Sequence, residues 1–67
     1  MDKNRWIGRK VFVQLKGNRK YSGIVLEIEG TETPFLITIK DKYDKYVSFL
    51  SSEIEILQEE DKNGKTN

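Results

Sequence analysis

Apolar and polar residues alternate through the first third of the chain. Val11, Val13 and Leu15 fall two apart between Lys10 and Lys16. Successive side chains of a strand point to opposite faces, so these three mark the buried side of a first strand. Gly17-Asn18 follows as a tight turn, since both residue types accept left-handed backbone. Lys20 to Glu29 runs back as a second strand that is apolar on both faces, with Ile24, Leu26 and Ile28 expected on one side and Val25 on the other. Gly23 near its start permits a sharp bend, which lets one long strand pair in two directions.

The pattern continues after a polar loop, Gly30 to Pro34. Phe35 to Lys40 predicts a third strand, with Phe35, Ile37 and Ile39 opposite Leu36 and Thr38. Asp41-Lys42-Tyr43-Asp44 is a four-residue hairpin turn, acidic at both ends. Lys45 to Leu50 is a fourth strand in which Val47 and Phe49 share a face. Ser51-Ser52 makes a short connection of one 3₁₀ turn, and Glu53 to Leu57 a fifth strand with Ile54 and Ile56 alternating against Glu53 and Glu55. Ahead of the first strand, Asp2 is placed to cap a single helical turn through Trp6. Residues 58–67 carry no apolar side chain and predict a disordered tail. Five short strands with tight turns between them predict an all-β, five-stranded antiparallel barrel, open or closed. It forms one domain over residues 1–57, with 58–67 as its tail.

Composition narrows the chemistry. The chain has 67 residues, no Cys and no His. A domain of this size buries only about 60% of the surface its unfolded chain exposes. Disulfides and thiolate or imidazole metal sites are excluded, so self-association is the remaining way to add stability. No cofactor or metal is expected. No apolar run approaches the roughly 18 residues of a membrane-spanning helix, and no signal-peptide pattern opens the chain. The expectation is a soluble, cytoplasmic protein with no membrane contact.

Charge is divided along the chain although the net charge is only +1. Lys3, Arg5, Arg9, Lys10, Lys16, Arg19 and Lys20 face Asp2 alone in residues 1–23, while ten acidic groups face Lys40, Lys42 and Lys45 in residues 24–61. A basic side can serve as a phosphate footprint or simply as a solvated surface. Trp6, Tyr21, Tyr43 and Tyr46 are interleaved with Arg and Lys, as stacking residues of single-strand binders are. Cross-strand packing is the expected role of Tyr21 and Tyr46, and Tyr43 at a turn tip is expected to be exposed. Glu27 and Glu29 share a strand face and form the one carboxylate pair with a catalytic look, yet no other catalytic group accompanies them. Ser22, Ser48, Ser51 and Ser52 have no His to activate them. Gly17, Gly23 and Gly30 are isolated turn or bulge glycines, not a phosphate loop. An enzyme is not expected.

Gly8, Val11, Val13, Leu15, Gly17, Gly23, Ile28-Glu29 and Leu36 together resemble the first sequence motif of the Sm/LSm family, small SH3-like barrels that form rings on RNA. The fourth strand, short link and fifth strand, ending in Ile54, Ile56 and Leu57, resemble the second motif. The likeness spans about residues 5–57. It implies an SH3-like barrel whose fourth strand pairs with the fifth strand of a neighbour, with Val47, Phe49, Ile54 and Ile56 at the subunit interface and about six or seven copies in a homo-oligomeric ring. The base pocket departs from the family. Where members place an aspartate, then an aromatic or Met, then an asparagine, this chain has Glu29, Glu32 and Thr33, and the arginine-glycine of the later link corresponds to Leu50 and Ser51. The function this implies is a ring-forming scaffold that binds single-stranded RNA with weak sequence preference. Arg9, Lys10, Lys16, Arg19 and Lys20 would contact phosphates and Tyr43 would stack a base. The alternative is a protein-interaction or structural SH3-like module that binds a protein partner and no RNA.

Overall fold

The structure is a computed structural model and describes residues 2–60. The helical turn α1 (Lys3–Trp6) precedes strands β1 (Lys10–Leu15), β2 (Arg19–Glu29), β3 (Leu36–Lys40) and β4 (Tyr46–Leu50). A 3₁₀ turn (Ser51–Glu53) leads into β5 (Ile54–Glu59). All pairings are antiparallel, in the order β4-β3-β2-β1-β5. The sheet is therefore open, with β4 and β5 as its edges. Asp2 stands at the N-cap position of α1, but its side chain makes no capping hydrogen bond. The turn closes instead by backbone bonds, Arg5 N–H to Asp2 C=O and Ile7 N–H to Lys3 C=O.

One core serves the whole sheet. Val11, Val13 and Leu15 from β1 are buried with Val25, Ile28, Phe35, Ile37, Ile39 and Phe49. Ile54 and Leu57 of β5 pack against the same cluster, as does Trp6 of α1. Edge strands from opposite ends of the order meet in one core, so the sheet must curl on itself. Its long central strand makes this possible. The first half of β2 pairs with β1 from Arg19 to Ile24, and the second half pairs with β3 from Ile24 to Glu29. At the crossover, a Cβ added to Gly23 would lie 2.5 Å from the Lys40 carbonyl oxygen. Only glycine lets β3 approach β2 so closely.

Two bulges shift the alternation expected from sequence. In β2, Val25 lies opposite Ile39 and Glu27 opposite Thr38, so Leu26 is the extra residue. Val25 and Ile28 are buried together, whereas Ile24 and Leu26 are exposed. The expectation of Ile24, Leu26 and Ile28 on one face is thereby corrected, because a bulge inverts the phase of all that follows. In β5, Leu15 lies opposite Ile54 and Gln14 opposite Ile56, which leaves Glu55 as the extra residue. Ile54 and Leu57 consequently face the core and Ile56 faces outward. Strand β5 also runs through Gln58 and Glu59, positions the sequence reading assigned to the tail. Backbone pairing with Phe12 and Val11 holds them without any apolar side chain. Residues 61–67 of that expected tail lie outside the described residues.

Turn chemistry matches the residues present. Gly17 and Asn18 both take positive φ, 84° and 64°, between β1 and β2. In the β3–β4 turn, Asp41 Oδ1 accepts hydrogen bonds from the N–H groups of Tyr43 at 2.8 Å and Lys45 at 2.9 Å. Among the described residues, no helix is long and apolar enough to cross a membrane.

Candidate nucleic-acid interface

The basic residues singled out in the sequence divide into two groups. Arg9 and Arg19 are engaged with acids of the β5 region. Arg9 lies 3.5 Å from Glu59, which also approaches Arg5 at 3.9 Å, and Arg19 lies 2.8 Å from Glu53. Each such contact offsets the charge that a phosphate would meet. Lys16 is exposed beside the β1–β2 turn, with its N–H donating to the Glu53 carbonyl.

The second group converges. Lys10 and Lys20 line a groove of about 650 Å³ between the first half of β2 and the β3–β4 turn. Lys40, Lys42, Tyr21 and Tyr43 line it with them. Strand register explains the meeting: Lys10 lies opposite Ile24 on β1–β2, and Ile24 lies opposite Lys40 on β2–β3. One row across the sheet thus carries two lysines, and the Asp41-braced turn brings Lys42 and Tyr43 to the same place. Tyr43 is 70% exposed. Tyr21 packs against the core as well as walling the groove. Tyr46, expected to pack across strands, is instead 68% exposed, because it begins edge strand β4 on the outer face. The lining also includes Asp41, Asp44 and Glu60, and Lys40 lies 3.7 Å from Asp44.

Sequence reasoning found Lys10, Lys20 and Tyr43 of this group and missed Lys40 and Lys42. Those two flank Asp41 in the chain, and only the hairpin register brings them beside β2. Counting back from the Asp41–Asp44 turn through the β2–β3 pairing was the signal that could have found them.

Glu27 and Glu29 stand side by side on the outer face of β2. Their mutual hydrogen bond, then their like charge, raises Glu27 above its ordinary value of 4.5. Among the described residues neither has a cationic partner. Glu29 lies opposite Leu36, and Leu36 opposite Leu50, so two exposed leucines adjoin the acid pair. Two of the four serines without an activating His have structural partners. Ser51 Oγ accepts the Phe35 N–H at 2.9 Å, and Ser48 shares a hydrogen bond with Thr38. No group of three or more metal-ligating side chains occurs among the described residues.

Of the positions expected at a subunit interface, Phe49 is buried within the core and Val47 and Ile54 pack against it. Ile56 is exposed on β5. The backbone of β4, from Tyr46 to Leu50, forms an edge without a single charged residue.

No family model, no curated protein and no solved structure matches this chain.

Proposed function

We propose that this protein is a non-catalytic, Sm-like scaffold of the cytoplasm that assembles into a ring and binds RNA by charge, with weak sequence preference. The observation that carries this reading is the convergence of Lys10, Lys20, Lys40 and Lys42 with Tyr43 on one groove. Phosphate contacts are insensitive to sequence, and lysines supply them as point charges. Glu32, Thr33 and Leu50 occupy the positions where the resembled family reads a base, which supports recognition through the backbone of the nucleic acid.

The edges support assembly. Edge strands are ordinarily blunted by charge, proline or a covering segment. Strand β4 has neither charge nor proline in Tyr46–Leu50, and Ile56 on β5 offers apolar surface at the other edge. Pairing β4 of one copy with β5 of the next is a head-to-tail contact that can close, at about six or seven copies by the family resemblance.

Filter binding of poly-U and poly-A across a salt series, alongside native mass measurement, tests both halves. Both polymers should bind at low salt and weaken by a slope of roughly 0.7 per contacted phosphate. Absence of RNA binding at low salt would overturn the reading, as would a monomer at high micromolar concentration for the ring.

A second reading is favoured by a separate observation. The Glu27–Glu29 pair, without a cationic partner among the described residues and beside exposed Leu36 and Leu50, suits a basic, apolar segment of a protein partner. Under that reading the barrel is a protein-interaction module, and RNA binding would be absent.

A further inference from the structure

We infer that the outer face of β2–β3–β4 is a two-fold contact between copies of this chain, in which the acidic row of each copy lies over the basic row of the other. The inference goes beyond the ring and the RNA-binding reading and rests on neither. Edge pairing uses the backbone of β4, whereas this contact uses side chains that point away from the core.

Residues opposite one another in a ladder share a face, so the register arranges this surface in rows. Glu29, Leu36 and Leu50 form the first row. Glu27, Thr38 and Ser48 form the second, with Thr38 and Ser48 joined by a hydrogen bond of 2.9 Å. Ile24, Lys40 and Tyr46 form the third, and Lys10 on β1 extends it. Much of this face is uncovered apolar surface. Eight large apolar residues are exposed among the described residues, and five of them stand in these rows or at the β2 bulge: Ile24, Leu26, Leu36, Tyr46 and Leu50. Apolar groups gathered on one face mark a contact surface.

Charge identifies the occupant as a second copy. The first row begins with an acid, and the third carries Lys10 and Lys40. Leu36 and Lys40 stand about 13 Å apart along β3, so the two ends are kept apart within one copy. Among the described residues, Glu27, Glu29 and Lys10 have no ion-pair partner, and Lys40 has only an exposed contact with Asp44 at 3.7 Å, a kind of pair that holds weakly. A two-fold axis along the second row, between two facing sheets, brings opposite ends together. Glu29 of one copy then lies over Ile24 of the other, between its Lys10 and Lys40. Leu50 lies over Tyr46, and Leu36 covers the methylene stem of Lys40. Symmetry makes each of these contacts twice, and the strands of the facing sheets stay nearly aligned, as packed sheets prefer. The axis has one cost, because Glu27 meets its own symmetry mate. The face is about half the roughly 20–30 residues of a standard interface side, so the contact is weak and reversible.

Sedimentation velocity of the full chain, at high micromolar concentration and low salt, tests the inference. The wild-type protein should sediment at twice the mass of Glu29→Lys, whose new charge lies over two lysines. Adding Lys40→Glu to Glu29→Lys should recover the doubled mass, because the exchanged charges meet between copies. Glu27→Gln should tighten the association about threefold, the effect of removing one exposed like-charge contact. The two neighbouring glutamates thus respond with opposite signs, which a basic segment docked on both would not produce. None of these side chains belongs to the core, so the circular dichroism spectrum should not change. The factor of two holds whether the dissociated species is a ring or a monomer, so failure of the ring reading leaves this test standing. Equal masses for wild type and Glu29→Lys would overturn the contact and leave the face to a different protein. No recovery in the double variant, or weaker association in Glu27→Gln, would overturn the two-fold arrangement.

Discussion

The Arg19 guanidinium lies 2.8 Å from the Glu53 carboxylate and joins the β1–β2 turn to the 3₁₀ turn that leads into β5. Glu53 is used through all its acceptors. Its other carboxylate oxygen accepts the Leu50 N–H at 3.1 Å, and its carbonyl accepts the Lys16 N–H at 2.8 Å. An arginine that reads in the sequence as a phosphate contact is therefore committed to positioning an edge strand.

The acid limb of stability should report this contact. The hydrogen bond from Arg19, then that from the Leu50 amide, holds Glu53 below its ordinary value of 4.5. A depressed carboxylate stabilises the fold above its unfolded value, and the effect fades as pH falls through the folded one. Glu53→Gln should therefore lower the melting temperature at pH 7 and make less difference below about pH 4. Thermal melts from pH 7 to 3 check this, and a constant difference across that range would contradict it.

Gly23 should tolerate no side chain. A Cβ there would meet the Lys40 carbonyl oxygen at 2.5 Å and the Asp41 nitrogen at 3.2 Å, both backbone atoms that cannot swing away. Gly23→Ala should cost about 1–3 kcal/mol in urea denaturation, the range for overpacked sites. A stability equal to wild type would mean that β2 and β3 do not approach as described.

The bulge in β2 can be tested by two neighbouring substitutions. With Leu26 as the extra residue, Ile28 faces the core and Leu26 the solvent. Ile28→Ala should cost about 2–5 kcal/mol, and Leu26→Lys should change stability by less than about 0.5 kcal/mol. Equal losses at both positions would restore the unbulged alternation.

Assembly should depend on the uncharged edge. Ser48 sits in the middle of β4 with its side chain exposed. Ser48→Lys places a charge on that edge, the ordinary means of blocking edge pairing. It should lower the assembled mass in light scattering while the circular dichroism spectrum keeps its strand signal. An unchanged mass would remove β4 from the assembly contact.

Much of this fold is legible because three strands keep a strict period of two. Val11, Val13 and Leu15, then Phe35, Ile37 and Ile39, then Phe49, are buried as their spacing predicts. The phases of β2 and β5 are not legible. Leu26 is apolar and fits either face, so nothing in its side chain marks the bulge, and Glu55 sits among alternating residues whichever way β5 turns. The site divides similarly. Lys10, Lys20 and Tyr43 stand out by charge and aromaticity, whereas Lys40 and Lys42 join them only because the β3–β4 turn returns over β2. The carboxylates that occupy Arg9 and Arg19 lie more than thirty residues away in the chain, beyond the reach of any local pattern.

The strand order carries a consequence for how the chain reaches its native state. Pairings β1–β2, β2–β3 and β3–β4 join sequence neighbours, whereas β1–β5 brings Leu15 to Ile54 and Val11 to Glu59. Closing so long a segment carries a greater entropic cost than closing a hairpin, so β5 should dock last. Until it does, β1 is itself an open edge, with the fully buried Val11, Val13 and Leu15 half uncovered. Pulse-labelled hydrogen exchange should find β5 amides protected after those of the β1–β2 hairpin, and simultaneous protection would contradict this order. The vulnerable species is then a four-stranded intermediate, and for a short time during refolding the chain presents β1 to other copies at the place where its own last strand belongs.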